Sequence, residues 1–298
     1  MANSIAEVGM LKIALPNKGR LSEEARLLFG DAGLEVRATG ERALTASLGG
    51  EFQALFVRAQ DIPEFVADGA ADAGVTGWDL VSESGRELET LADLEFGRCR
   101  LIVAASDESS LATTGAIPAG ARVATVYPRL AARFFADRNQ RVEIVPVSGA
   151  AEIAPHIGIA DVIVDITSTG STLKVNGLHE VETIMESTAR LVAAPNALTT
   201  GPAERRRSIE ELTMALDSVL RARGKRYLMA NVPRVALDAV RRVIPGLNGP
   251  TVIDILDGGI HVAVHAVVPA KTVYRTIAEL KSLGAEGILV TRIERLMP

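Results

Sequence analysis

Asp165 is followed closely by Thr167, Ser168, Thr169, Gly170, Ser171 and Thr172, the densest concentration of potential chemistry in the chain. Hydroxyls and backbone N–H groups crowded into a short loop can wrap a phosphate. Each amide directs partial positive charge inward, and Gly170 permits φ > 0. The acid beside them can accept hydrogen bonds from sugar hydroxyls, so a ribose phosphate suits the set better than a bare anion. The same composition also makes an ordinary turn after a strand, and the loop by itself leaves both readings open.

Cations stand at the ends of other apolar runs. Lys18 and Arg20 follow one such run and precede a helical pattern, where orphan amides and the helix dipole favour anions. Arg58 holds the equivalent place after the next run. Together they could neutralise a polyphosphate; singly each is an ordinary loop charge. Asp79 could bond a nucleotide or end a turn, and Trp78 could meet a base or pack at a rim. Cys99 lies in Gly97-Arg98-Cys99-Arg100, which could lower a thiol pKa, although a half-buried structural cysteine is the plainer reading. His261 and His265 fall on one face of a strand, about 13 Å apart at ~3.3 Å per residue, too far to clasp one ion. His156 and His179 have no ligand-spaced neighbours, so zinc is not expected. Walker, dinucleotide and serine-elbow motifs are absent from the sequence.

The elements that must position these groups alternate strand and helix. Strands are expected at Leu11 to Leu15, Phe52 to Val57 and Asp72 to Thr76, with Ser22 capping the first helix and Asp61 and Pro63 starting the second. A second series runs from Leu101 to Ala105 through Arg122 to Val126, a helix over Leu130 to Phe135, and Val142 to Val147 into the hydroxyl loop. Such alternation predicts parallel pairing with right-handed crossovers. Val181 to Glu186 and Arg190 to Ala193 lead back. The prediction is two α/β lobes around a cleft, ringed by the loops at 16–20, 58–61, 76–79 and 165–172. A long amphipathic helix, Ala203 to Arg223, ends at Gly224. Beyond it the order is β-α-β-β-α-β, with a hairpin across Asp257-Gly258-Gly259, which is ferredoxin-like. The expected domains are lobe I (1–100 with 190–224), lobe II (101–189) and a third domain (225–298).

The 298 residues, 48% apolar and 23% charged, can fill several cores. A net charge of −5 argues against nucleic acid as a partner. One cysteine fits a reducing compartment. No apolar run suits a signal peptide or a membrane span, so a soluble cytoplasmic protein is expected.

Glu152, Gly158, Ala160 and the run Ile163-x-Asp165-Ile166-x-x-Thr169-Gly170-x-Thr172-Leu173 resemble the signature of the ATP phosphoribosyltransferases. The likeness extends through Leu15-Pro16-Asn17-Lys18-Gly19 and Gly74-Val75-Thr76-Gly77-x-Asp79-Leu80. Pro245-Gly246-Leu247-x-x-Pro250-Thr251 and Leu283-Gly284-Ala285-x-Gly287-Ile288-Leu289 resemble the C-terminal module of the long, self-regulated form. The resemblance implies periplasmic-binding-protein-like lobes and a regulatory third domain. It implies ATP and phosphoribosyl pyrophosphate as substrates, with Mg²⁺, giving N1-(5-phosphoribosyl)-ATP and pyrophosphate at the start of histidine biosynthesis. It implies a 5-phosphate on the hydroxyl loop, Thr167 to Thr172, with Asp165 and Glu152 as the catalytic acids near the ribose. ATP contacts are implied for Lys18, Arg20, Arg58, Asp79 and Leu80. Histidine feedback and a homohexamer in exchange with dimers are also implied. Thr251 matches the effector region, and Asn231 stands where some relatives carry an acid.

Such a transfer needs no Ser-His or Cys-His set, because adenine N1 already carries a lone pair. What it needs is charge stabilisation and alignment. Two other readings remain: a non-catalytic two-lobed binding protein, which would carry an export signal or anchor, and a metabolite-sensing transcription regulator. The regulator would need a basic helix-turn-helix.

Overall fold

The computed structural model describes residues 10–297 except 39, 41, 42, 112 and 257. The chain falls into two compact units that divide between Met214 and Ala215. The first unit opens with β1 (Leu11–Pro16), α1 (Arg20–Asp31), β2 (Val36–Arg37), β3 (Thr45–Leu48) and β4 (Phe52–Val57). It continues with α2 (Ile62–Ala67), β5 (Ala73–Gly77), α3 (Trp78–Ser84) and β6 (Glu89–Asp93). Lobe II follows as β7 (Cys99–Ser106), β8 (Ala121–Thr125), α4 (Pro128–Asp137), β9 (Val142–Pro146), β10 (Val162–Thr167), α5 (Ser171–Val175) and β11 (Leu178–Ser187). The chain then returns through β12 (Ala189–Ala193) to α6 (Ala203–Ala222).

Two sheets result. The lobe I sheet has the order β2-β3-β4-β1-β5-β12-β6, and the lobe II sheet β11-β7-β10-β8-β9. The chain crosses between them twice, from β6 to β7 and from β11 to β12, which gives the two-lobed α/β architecture expected. Parallel pairing holds where a helix intervenes: β1 with β4 and β5, and β8 with β9 and β10. It fails for β7, which runs antiparallel to β10 and β11, and for β12 against β5 and β6. Both strands arrive straight from the other lobe rather than through a crossover helix, and parallel neighbours require such a connection. The short elements β2, β3, α3 and β6 have no counterpart in the periodicity.

The continuous apolar run of β7 has a simple cause. Leu101, Val103 and Ala105 pack with Phe134 and Phe135 of α4, whereas Ile102 and Ala104 pack on the other side with Leu173 and Leu178. A strand covered on both faces loses the alternation of a half-buried one. The first helix begins at Arg20, earlier than expected. Ser22 is buried in its first turn rather than capping it. Gly19 takes the cap position with φ 79° and ψ −178°, a conformation open in practice only to glycine.

The second unit contains β13 (Lys225–Pro233), α7 (Leu237–Val243), β14 (Thr251–Asp254), β15 (His261–Pro269), α8 (Val273–Ser282) and β16 (Glu286–Arg292). The sheet order β14-β15-β13-β16 is antiparallel throughout, the ferredoxin-like arrangement. Leu228, Val232, Val262, Val264, Val240 and Leu280 fill the layer between sheet and helices. Asp257 in the expected hairpin turn lies outside the described residues. His265 places Nδ1 2.6 Å from the Tyr227 hydroxyl.

Candidate active site

β10 carries the hydroxyl loop. Val162, Ile163 and Val164 are fully buried, so the strand is anchored before it reaches Asp165. The strand runs on to Thr167, which places Asp165 inside it rather than at its tip. Thr167 Oγ1 accepts the Gly170 N–H at 3.0 Å, and Thr169 Oγ1 lies 3.0 Å from Ser171 Oγ. Gly170 adopts φ 77°, the left-handed turn its position requires, and α5 starts at the next residue. A hollow of about 360 Å³ opens here, lined by Asp165, Thr167, Ser168, Thr169, Ser171 and Thr172 together with Glu152. The acid from a distant stretch of sequence therefore shares one cavity with the loop. Gly170 contributes through its backbone turn rather than as lining.

The Asp165 carboxyl accepts the Ile166 N–H at 2.7 Å. Burial nevertheless pushes its pKa up to about 6; Glu152 raises it too, while the Ile166 amide works against both. The cavity that Asp165 shares with the hydroxyl loop thus weakens its acidity, as sites built for chemistry do.

A second, larger hollow of about 820 Å³ lies in the same unit. Lys18 from the end of β1, Arg58 from the end of β4 and Leu80 from α3 line it. Its other wall comes from lobe II, through Val126, Tyr127, Val147 and Ser148. Of the expected loops, 165–172 thus lines the smaller hollow, and residues of 16–20 and 58–61 line the larger. Arg20 is not among the lining groups: its guanidinium pairs with Glu24 at 2.9 Å along α1. Asp79 lies behind the wall, 5% exposed. Its carboxylate accepts the Tyr127 hydroxyl at 2.7 Å and the Ser187 hydroxyl at 2.6 Å. Tyr127 is correspondingly raised above the usual phenol range, by burial first and then by Asp79. Sequence patterns alone single out neither Tyr127 nor Glu83; the Tyr127-Pro128 step between a strand and a helix is the available signal.

Burial and the Asp79 charge push the Cys99 thiol up to about 11, so its flanking arginines do not activate it. Among the described residues no group of three or more His, Cys, Asp or Glu side chains could hold a metal. Asp165 and Glu152 do offer hard oxygen donors beside the hydroxyl loop. That suits Mg²⁺, which keeps its waters and takes one or two carboxylates plus substrate phosphates. No helix among the described residues is long and apolar enough to cross a membrane.

In the second unit, strand register puts Thr251 opposite His265, and Asn231 opposite Ala263. His265 and Ala263 are two apart on β15, so Thr251 and Asn231 share one sheet face.

Residues 58–218 match the family model described as ATP phosphoribosyltransferase, and residues 222–295 match that of the HisG C-terminal domain. An ATP phosphoribosyltransferase of Gemmatimonas aurantiaca is 67% identical over 97% of this chain and 100% of its own. That of Natronomonas pharaonis is 49% identical, with the same shares. Among solved structures, the ATP phosphoribosyl transferase (HisG:HisZ) complex from Thermotoga maritima superposes with a TM-score of 0.60 at 28% identity. It covers 70% of this chain and 96% of that one. These matches favour an enzyme over a receptor or regulator, and the chain belongs to the ATP phosphoribosyltransferase family, the pentosyl-transferring enzymes that open histidine biosynthesis.

Proposed function

We propose that the two hollows divide the substrates of this transfer. The 5-phosphate of phosphoribosyl pyrophosphate sits on the loop from Thr167 to Thr172, with the ribose against Asp165 and Glu152. ATP occupies the larger hollow, its phosphates near Lys18 and Arg58 and its base side near Leu80. The observation that carries this reading is the seating of Glu152, Asp165 and the hydroxyls around one cavity. The short loop after β9 supports it, because Ser148 lines the larger hollow while Glu152 lines the smaller. Substrates held on either side of that loop can meet.

In the transfer, the adenine N1 lone pair forms a bond to C1 of the ribose. The bond from C1 to the pyrophosphate oxygen breaks and its electron pair leaves with pyrophosphate. Positive charge develops on C1 and the ring oxygen, where the Asp165 and Glu152 carboxylates stabilise it. Mg²⁺, held mainly by substrate phosphates within reach of those acids, would neutralise charge on the leaving group. Arg20 can swing from its exposed pair with Glu24 to the ATP phosphates at little cost, since such surface pairs contribute roughly 0–1 kcal/mol. Asp79 serves the ATP side indirectly, by holding Tyr127.

The remaining assignments belong to the same reading: a cytoplasmic homohexamer in exchange with dimers, lobes I and II as 1–100 with 190–224 and 101–189, and histidine inhibition through 225–298. Thr251 and Asn231, on one sheet face, supply the effector contacts. Mixing protein, ATP, Mg²⁺ and phosphoribosyl pyrophosphate should produce the absorbance of an N1-substituted adenine. Crystals soaked in the sugar donor should show its phosphate on the hydroxyl loop; density confined to the larger hollow would overturn the division.

A further inference from the structure

We infer that Glu83 is a positioning residue for the transfer, acting through a reciprocal clamp that joins lobe I to lobe II beside the larger hollow. The inference rests on the reading that this hollow takes ATP.

Helix α3 belongs to lobe I and α4 to lobe II, yet their ends exchange charge. The Glu83 carboxylate accepts the backbone N–H groups of Arg129 and Leu130, each at 2.9 Å and each through its own oxygen. These are first-turn amides of α4, and no side chain at its own cap position bonds them. In return, Arg129 donates from its guanidinium to the Ser84 carbonyl at the end of α3, at 3.2 Å. An anion at a helix start and a cation at a helix end are each the favourable sign. Gly85 completes the seat: a Cβ there would collide with the Arg129 guanidinium, so only glycine lets that side chain lie against the backbone.

The place of this clamp gives it consequence. Glu83 and Ser84 line the larger hollow from lobe I, and Val126 and Tyr127, just before α4, line it from lobe II. The clamp therefore ties together two walls that come from different lobes, and the distance between them sets the width available to ATP. Releasing Glu83 frees the start of α4 to move away from α3. The side-chain hydrogen bonds of the hydroxyl loop close within the loop itself, apart from Glu83, Arg129 and Leu130, so the sugar-donor side keeps its geometry. The expected signature is a loss confined to ATP.

The test uses full-length protein carrying Glu83→Ala or Glu83→Gln, with steady-state kinetics followed by product absorbance and amide exchange read at Arg129 and Leu130. Glu83→Ala should raise KM for ATP roughly tenfold, the scale of losing charge-assisted hydrogen bonds. KM for phosphoribosyl pyrophosphate and kcat should stay within about twofold, and both amides should exchange faster. Glu83→Gln keeps one carbonyl acceptor and should fall between; it decides the matter if the alanine variant does not fold. An unchanged KM for ATP with faster amide exchange overturns the inference. So does a fall in kcat and melting temperature at constant KM, the mark of a purely structural role. Lys18→Ala separates the two levels. If it leaves KM for ATP unchanged, the ATP assignment is at fault. If KM responds to Lys18→Ala and not to Glu83→Ala, the clamp alone is at fault.

Discussion

The hydroxyl loop and the larger hollow are built in opposite ways. In the loop the side-chain hydrogen bonds are local: Thr167 to Gly170 spans three residues, and Thr169 to Ser171 two. The larger hollow is walled by segments from both lobes, and its ties are long. Asp79 holds Tyr127 across 48 residues, and Glu83 holds Arg129 across 46. A local loop fixes donors relative to one another whatever the lobes do. A wall shared between lobes fixes its width only when the lobes are in place. On the proposed division, the groups that face the reacting carbon would sit on the first kind of structure and those that bind a large polyanion on the second.

The sharpest way to break this division is to remove the acid of the local loop. Asp165→Ala should lower turnover by a factor of about 10²–10³, the scale of losing a preorganised electrostatic group, with the melting temperature close to that of the parent. Turnover near the parent value would remove Asp165 from the transition state. The same side chain predicts a pH effect of definite sign. Its folded pKa of about 6 exceeds the unfolded carboxyl value near ~3.9, so the native state binds the proton more tightly. Its contribution to stability is therefore present at low pH and is lost as pH rises through the window from about 4 to 6. With the role proposed for Asp165 activity moves the other way, because the ionised form would stabilise the cation: kcat/KM should fall below about pH 6. Asp165→Asn, compared across the same range, should lack both dependences.

The same contrast explains what the sequence disclosed. The hydroxyl loop, Asp165 and the strand carrying them were legible because the chemistry is contiguous and the apolar run before it is unambiguous. Lys18 and Arg58 could be placed by the rule that sites gather at strand ends, whereas Leu80 came only with the family resemblance. Nothing local distinguishes Arg20, turned along its own helix, from Lys18, which lines the hollow. Tyr127 and Glu83 gain their roles only from partners far along the chain, so no window could contain the signal. The unexpected direction of β7 has a similar origin. Its residues specify a strand buried on both faces, whereas its direction follows from a chain that enters from the other lobe. β2, β3 and β6 are too short or too polar for periodicity to reveal.

The long-range construction can be probed at Tyr127. Tyr127→Phe removes the hydroxyl that Asp79 accepts and leaves one oxygen of a buried carboxylate without that partner. An acceptor stranded this way costs roughly 1–3 kcal/mol, more for charged groups, so a clear fall in melting temperature is expected. The double variant Tyr127→Phe with Asp79→Asn should recover part of the loss, because the charge left behind is then gone. Equal melting temperatures for parent and Tyr127→Phe would mean that the tie contributes nothing to holding the wall.

A finer comparison sets against each other the two glycines that open these regions. Gly19, before α1, and Gly170, before α5, both have open space where a Cβ would go, so alanine at either tests backbone conformation without a clash. They differ in where the backbone sits. Gly170 at φ 77° and ψ 1° lies near the left-handed region that other residues visit at modest cost, and Gly170→Ala should lose roughly 1 kcal/mol. Gly19 at φ 79° and ψ −178° lies where side chains are almost never found, and Gly19→Ala should lose up to roughly 3 kcal/mol. Denaturant midpoints of the two variants give the order directly. Gly170→Asn refines it, because asparagine tolerates the left-handed turn and should recover most of the alanine loss. Asparagine at residue 19 should not, since that conformation lies outside the region it visits. Equal losses at both positions would mean that α1 slides to relieve Gly19, and the seat of Lys18 would then be softer than that of the hydroxyl loop.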